Sequence, residues 1–210
     1  MIKAVIFDLD GTLTDTLGDI ANAMNRALRI HGLPEFAVDE YRKLIGGGVR
    51  VLTERAVRDR LDMTDAVLAT YQPYYAAHAM DVTSPFDGVQ DMLHALAERG
   101  VQICVFSNKP HDDCVNVVKH FFPDIPFAKV LGQMAGMPVK PDPAGAFLCA
   151  EAANVQPDEC LYVGDMVVDV NTARNAGMHS VAVTWGFGSR DSLQDAEHMI
   201  DKPEQLLGLL

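Results

Sequence analysis

Two carboxylates lie two residues apart in Asp8-Leu9-Asp10-Gly11-Thr12-Leu13, directly after the apolar run Ala4-Val5-Ile6-Phe7. In extended backbone, residues i and i+2 project to the same side, so Asp8 and Asp10 can address one ligand. Side by side, two such charges oppose each other by about 4 kcal/mol at roughly 4 Å and an effective dielectric near 20. A cation or a shared proton has to relieve that. Taken alone, the motif reads equally well as an acidic turn that caps a helix.

Three later segments add to the set. Val105-Phe106 runs into Ser107-Asn108-Lys109, and Leu161-Tyr162-Val163 runs into Gly164-Asp165 with Asp169 four residues on. Lys140-Pro141-Asp142-Pro143 precedes a helix expected to begin near Ala144. Asp165 and Asp169 share a face if the chain enters a helix at once. Three or four carboxylates in one crevice call for a hard divalent cation, and all-oxygen ligation favours Mg²⁺. Lys140 would offset the remaining charge.

The elements that must position these groups follow from periodicity. Ala4 to Phe7 is short, branched and aromatic, as in a strand buried on both faces. From Ser84 onward, helical patterns alternate with apolar runs at Val101–Phe106, Lys129–Leu131, Leu161–Val163 and Ser180–Thr184. Such alternation makes an α/β, Rossmann-like, doubly wound parallel sheet, whose ligands bind at the carboxyl ends of its strands. Between Thr16 and Asp81 only helical patterning appears. Ile20, Met24, Ala27 and Leu28 share one face, and Val67, Tyr71, Tyr74 and His78 form a later stripe. The expected organisation is a discontinuous core of residues 1–15 and 82–210, interrupted by an all-helical cap at 16–81.

The chain has 210 residues, 49% hydrophobic and 22% charged, with a net charge of −12. That balance argues against nucleic acid and anionic membrane surfaces as partners. No apolar run approaches the roughly 18 residues needed to span a bilayer. Cys104, Cys114, Cys149 and Cys160 form no C-x-x-C pair and no secretory signal precedes them, so a reducing, cytoplasmic setting is expected. A small anion remains open as a partner where local positive charge or a metal attracts it, and the expected assembly is a monomer or homodimer.

Asp8-x-Asp10-Gly-Thr, Ser107-Asn, Lys140-Pro and Gly164-Asp165-x-x-x-Asp169 resemble the four ordered motifs of the haloacid dehalogenase superfamily of hydrolases, with a helical insert where that superfamily's C1 cap belongs. Within it, the Ser107-Asn-Lys-Pro and Lys140-Pro-Asp-Pro stretches and the tail Val183-Thr-Trp-Gly-Phe-Gly look most like the phosphoglycolate phosphatases. Met166 departs from the pattern, standing where a hydroxyl residue is common.

The resemblance implies a Mg²⁺-dependent phosphatase in which Asp8 attacks phosphorus, Asp10 serves as acid and then base, and Lys140 steadies the charge. It implies metal ligation by Asp8, the Asp10 carbonyl and Asp165, with Asp169 orienting the metal's waters or Lys140. The implied partner is a small phosphorylated metabolite, with Thr12, Ser107, Asn108, Arg50 and Lys109 as the expected substrate contacts. The alternatives are a phosphomutase of the β-phosphoglucomutase type, whose cap histidine is replaced here by Ile20, and a pyrophosphatase or nucleotidase on the same scaffold. An acyl-phosphate receiver module is disfavoured because its acceptor follows a middle strand.

The remaining candidates have plainer readings. Arg50, after Gly46-Gly47-Gly48-Val49, is either a substrate-facing cation or a solvated helix-start arginine. Lys109 is as readily a surface lysine, and the Tyr71, Tyr74 and Tyr75 cluster reads as cap core. The triple glycine lacks the ending of a phosphate-binding loop and more plausibly lets a cap loop bend over the site.

Overall fold

The structure, a computed structural model, describes residues 1–210. Its main sheet holds β1 (Ala4–Phe7), β4 (Gln102–Pro110), β5 (Phe127–Gln133), β6 (Cys160–Gly164), β7 (His179–Val183) and β8 (His198–Ile200) in the spatial order β5-β4-β1-β6-β7-β8. Every neighbouring pair is parallel. Right-handed crossovers that step one way from β1 use one face of the sheet, and those that step back use the other. Accordingly α4 (Val89–Glu98) and α5 (His111–Phe121) pack on one face, with α6 (Ala144–Ala153) and α7 (Val167–Ala176) on the other. The alternation in β1 serves both, sending Val5 and Phe7 to one core and Ala4 and Ile6 to the other. The order reverses between β1 and β6, which opens the ligand crevice expected at such a switch point. Asp8 and Asp165 flank it.

Several details differ from expectation. β4 continues through Ser107, Asn108 and Lys109 rather than ending at Phe106. β5 extends beyond Lys129–Leu131 at both ends. The short edge strand β8 has no counterpart in the sequence reading, since three residues are too few to show alternation.

Between β1 and β4 the chain leaves through β2 (Thr14–Asp15) and returns through β3 (Ser84–Pro85), which pair antiparallel side by side. The helices between them are α1 (Leu17–Ile30), α2 (Gly48–Ala56) and α3 (Thr64–His78), with short 3₁₀ turns. Leu17, Ile20, Ala21, Met24, Ala27 and Leu28 give α1 a buried stripe, which packs with Leu52, Val67, Tyr71 and Tyr75 in a separate apolar cluster. The buried stripe of α3 runs through Tyr75 rather than the expected Tyr74 and His78; those two stack on each other, half-buried, with centroids 4.1 Å apart. Asp19 ties the exit to the return. Its buried carboxylate accepts bonds from the Val82 and Thr83 amides and, at 2.7 Å, from the Thr83 hydroxyl. No helix is long and apolar enough to cross a membrane, and the four cysteines are free and buried.

Candidate active site

Asp8 leaves the carboxyl end of β1 with its amide bonded to the Val163 carbonyl of β6, which pins it over the switch point. Its side chain is buried, and Oδ1 lies 2.8 Å from Lys140 Nζ. That ion pair is the one polar contact Oδ1 makes. Burial pushes the Asp8 carboxyl up to about 6, with Lys140 opposing the shift and Asp169 and Asp10 adding to it.

Lys140 Nζ also donates to Asp169 Oδ1 at 2.7 Å. Burial works to lower the Lys140 pKa, but the two carboxylates outweigh it and hold the ammonium charged. The lysine is placed by Asn108, whose Oδ1 accepts the Lys140 amide at 2.8 Å and whose Nδ2 donates to the Lys140 carbonyl at 3.3 Å. The same Nδ2 reaches the Gly46 carbonyl in the cap loop at 3.2 Å. Asn108 lines the cavity, yet its polar atoms are spent on backbone, so it is a brace rather than the expected substrate contact.

Asp165 follows β6 and is fully buried. Its Oδ1 accepts from the Thr12 hydroxyl at 3.0 Å and its Oδ2 from the Phe187 amide at 2.7 Å. Burial, then Asp169 and Asp8, push its carboxyl up to about 8 against those two bonds. The tail reaches this close only because Gly186 lacks a side chain: a Cβ there would lie 2.3 Å from Asp165 Cβ. Thr12 is thus corrected from substrate contact to holder of Asp165, and it does not line the cavity. Asp169, in the first turn of α7, accepts the Met166 amide on Oδ2 at 3.0 Å, the bond by which the helix entry is closed.

One oxygen each from Asp8, Asp165 and Asp169 lies within 4.8 Å of the others. Against these three buried carboxylates stands one ammonium, Lys140, which pairs with Asp8 and Asp169 and leaves Asp165 without a cation. An all-oxygen set with this excess of negative charge fits a hard divalent cation such as Mg²⁺. The Asp10 carboxylate stands apart from this cluster, bound by Lys109 Nζ at 2.9 and 3.2 Å, so any metal role of Asp10 falls to its carbonyl. Lys109 is therefore no surface lysine; it is 6% exposed and has a carboxylate partner.

Asp8, Asp10, Ser107, Lys109 and Lys140 line one cavity, roofed from the helical side by Ile20, Val49, Leu52, Tyr71 and Tyr75. Gly46 and Gly48 contribute to the rim, as a loop bent over the site would. Arg50 does not line it. Its guanidinium is exposed and bound to Asp65 at 2.6 Å, with Glu54 at 3.6 Å, because it points outward from the first turn of α2. Tyr71 and Tyr75 do double duty as cap core and cavity wall, a role that their i, i+4 spacing hints at without giving its direction. Asp113 and Gln72 also line the cavity and had no sequence signal.

Comparison with known proteins agrees with this arrangement. The family model for haloacid dehalogenase-like hydrolase matches residues 5–183. Phosphoglycolate phosphatase 1 of Pseudomonas aeruginosa is 33% identical over 193 residues, covering 88% of this chain and 70% of that protein. The phosphoglycolate phosphatase of Aquifex aeolicus is 29% identical over 215 residues, covering 100% and 97%. The crystal structure of a predicted phosphoglycolate phosphatase from Haemophilus somnus, 27% identical, covers 99% of this chain and 97% of its own with a TM-score of 0.92.

Proposed function

The chain belongs to the haloacid dehalogenase-like hydrolases and is a phosphatase, a phosphoric monoester hydrolase, and from that premise we propose that it uses Mg²⁺ and a phosphorylated Asp8 to hydrolyse a small phosphomonoester, as a phosphoglycolate phosphatase would. The observation that carries the reading is Asp8 itself: a buried carboxylate at the switch point, ion-paired with Lys140 and lining the cavity it shares with Asp10. Asp8, Asp165 and Asp169 would hold the metal, which when bound supplies positive charge to the phosphoryl oxygens.

Asp8 attacks phosphorus in line, forming one P–O bond as the ester P–O bond breaks. Asp10, having taken up a proton in exchange for one of its Lys109 bonds, gives that proton to the departing alkoxide. It then takes a proton from the water that attacks the acyl phosphate, so that inorganic phosphate leaves and both aspartates return to their starting states. Lys140 keeps Asp8 in place and meets the charge on the transferred group. Ser107, whose Oγ lies in the cavity wall, offers that group a hydroxyl. Residues 16–81 serve as the cap that encloses the leaving group, and its apolar side chains keep bulk water out.

The mutase alternative has no support from this wall, because Ile20 lines the cavity and offers no proton-carrying group. The test is inorganic phosphate release with Mg²⁺ from 2-phosphoglycolate, sugar phosphates, nucleotides and pyrophosphate, alongside β-glucose 1-phosphate. Stoichiometric phosphate from a small monoester is expected. Glucose 6-phosphate formed without matching phosphate would replace the hydrolase with the mutase.

A further inference from the structure

Lys109 joins two parts of the molecule that are far apart in sequence. Its ammonium donates to both oxygens of Asp10 in the core and to the hydroxyl of Tyr75 on α3. It also lies 4.6 Å from the centre of the Tyr75 ring. An ammonium has three N–H groups, and these three acceptors use them all. Lys109 and Tyr75 are both almost fully buried and meet at the cavity wall, and the ammonium has no other hydrogen-bond partner in the protein. The Tyr75 ring is itself set by the helical insert, stacked on Tyr71 at 5.3 Å and 12° and packed within the insert's own apolar cluster. Burial raises the Tyr75 hydroxyl well above its ordinary pKa, so it meets the ammonium as a neutral phenol.

We propose that Tyr75 is a positioning residue for the acid–base step: through Lys109 it fixes the orientation of the Asp10 carboxylate, so that proton transfer is aligned only while α3 is docked on the core. The inference rests on the role given to Asp10 above. Without the Tyr75 hydroxyl, Lys109 loses its one protein acceptor on α3 and is free to swing, carrying Asp10 with it. Proton donation to a leaving group requires hydrogen-bond alignment, so a displaced Asp10 loses donation before it loses anything else.

The experiment compares kcat/KM for an alkyl ester, 2-phosphoglycolate, with that for an aryl ester, p-nitrophenyl phosphate, at saturating Mg²⁺. An alkoxide needs a proton to leave; p-nitrophenolate does not. Tyr75→Phe keeps the ring and its packing and removes only the hydroxyl. It should lower the alkyl-to-aryl ratio by on the order of tenfold or more, and Lys109→Met should lower it similarly. Tyr74→Phe, on the same helix but outside the cavity wall, should keep the wild-type ratio. Equal losses on both esters in Tyr75→Phe would mean a merely structural role and overturn the proposal, as would a shift seen with Lys109→Met alone. A wild-type protein that hydrolyses neither ester would instead sink the phosphatase reading, and this inference with it.

Discussion

The Thr12 hydroxyl donates to Asp165 Oδ1 at 3.0 Å across 153 positions of sequence, linking the turn after β1 to the turn after β6. A threonine in the motif of Asp8 thereby orients a carboxylate of the acidic cluster on the neighbouring strand. Outer partners of this kind tune metal affinity by about 10–100-fold. Thr12→Val, which keeps the shape and deletes the hydroxyl, should raise the Mg²⁺ concentration for half-maximal activity by about that factor with a smaller change in kcat. A Mg²⁺ titration unchanged from wild type would separate Thr12 from the metal.

Asp8→Asn should fold normally and release no phosphate, because a neutral amide is a poor nucleophile. It also removes a charge that the site buries at a cost. The melting temperature of the metal-free variant should therefore be at least that of wild type. Measurable turnover in a preparation free of other phosphatases would rule out the covalent route.

Metal-free protein should lose stability as pH rises. The Asp8 carboxyl stands at about 6 and that of Asp165 at about 8 in the native chain, against roughly 4 when unfolded. Between those values the native state binds more protons than the unfolded one, so the stability these two groups contribute is fully present near pH 4 and is lost as pH climbs through 8. Mg²⁺ binds the ionised carboxylates, and its rise in melting temperature should be larger at pH 8 than at pH 5.5. Melting curves with chelator and with Mg²⁺ across that range check both slopes, and Asp165→Asn should flatten the first.

Asp19→Ala leaves the Val82 and Thr83 amides and the Thr83 hydroxyl without their buried acceptor. The loss should be about 2–4 kcal/mol of folding stability, read by denaturant melts. The catalytic groups do not touch Asp19, so the fraction that remains folded should keep its kcat.

Arg50→Ala should leave kcat/KM for 2-phosphoglycolate at the wild-type value, since the guanidinium faces solvent and is held by Asp65 and Glu54. A selective loss on that substrate would restore the specificity role that the glycines before it suggest.

Asp8, Ser107 and Asp165 each stand where an apolar run gives way to polar residues, and a parallel sheet brings such boundaries to one edge, whereas Asp169 was readable from its helical spacing to Asp165 and Lys140 from its place before α6. Thr12 was visible as part of a motif but not in its role, since sequence does not say which neighbour a hydroxyl meets. The Phe187 amide that binds Asp165 was invisible, because every residue has a backbone N–H. Arg50 and Tyr75 show the limit most clearly. Both lie on cap helices, and which face of a helix looks into a cavity is decided by packing that spacing alone does not reveal. Tyr75 was assigned to core and turned out to face core and cavity together, whereas Arg50 follows a loop at the cavity rim and points away.

The pairing of Thr14 with Pro85 and of Asp15 with Ser84 means that the chain enters and leaves its helical insert through adjacent doorways. Whatever lies between can lengthen, shorten or be exchanged without altering the spacing of β1 and β4, which are already paired to each other. Such a junction makes the roof of the cavity replaceable hardware on a fixed chassis. Grafting another helical segment between Asp15 and Ser84 should retain the carboxylate cluster and change which esters reach it, offering a route to new specificities by transplantation rather than by point mutation.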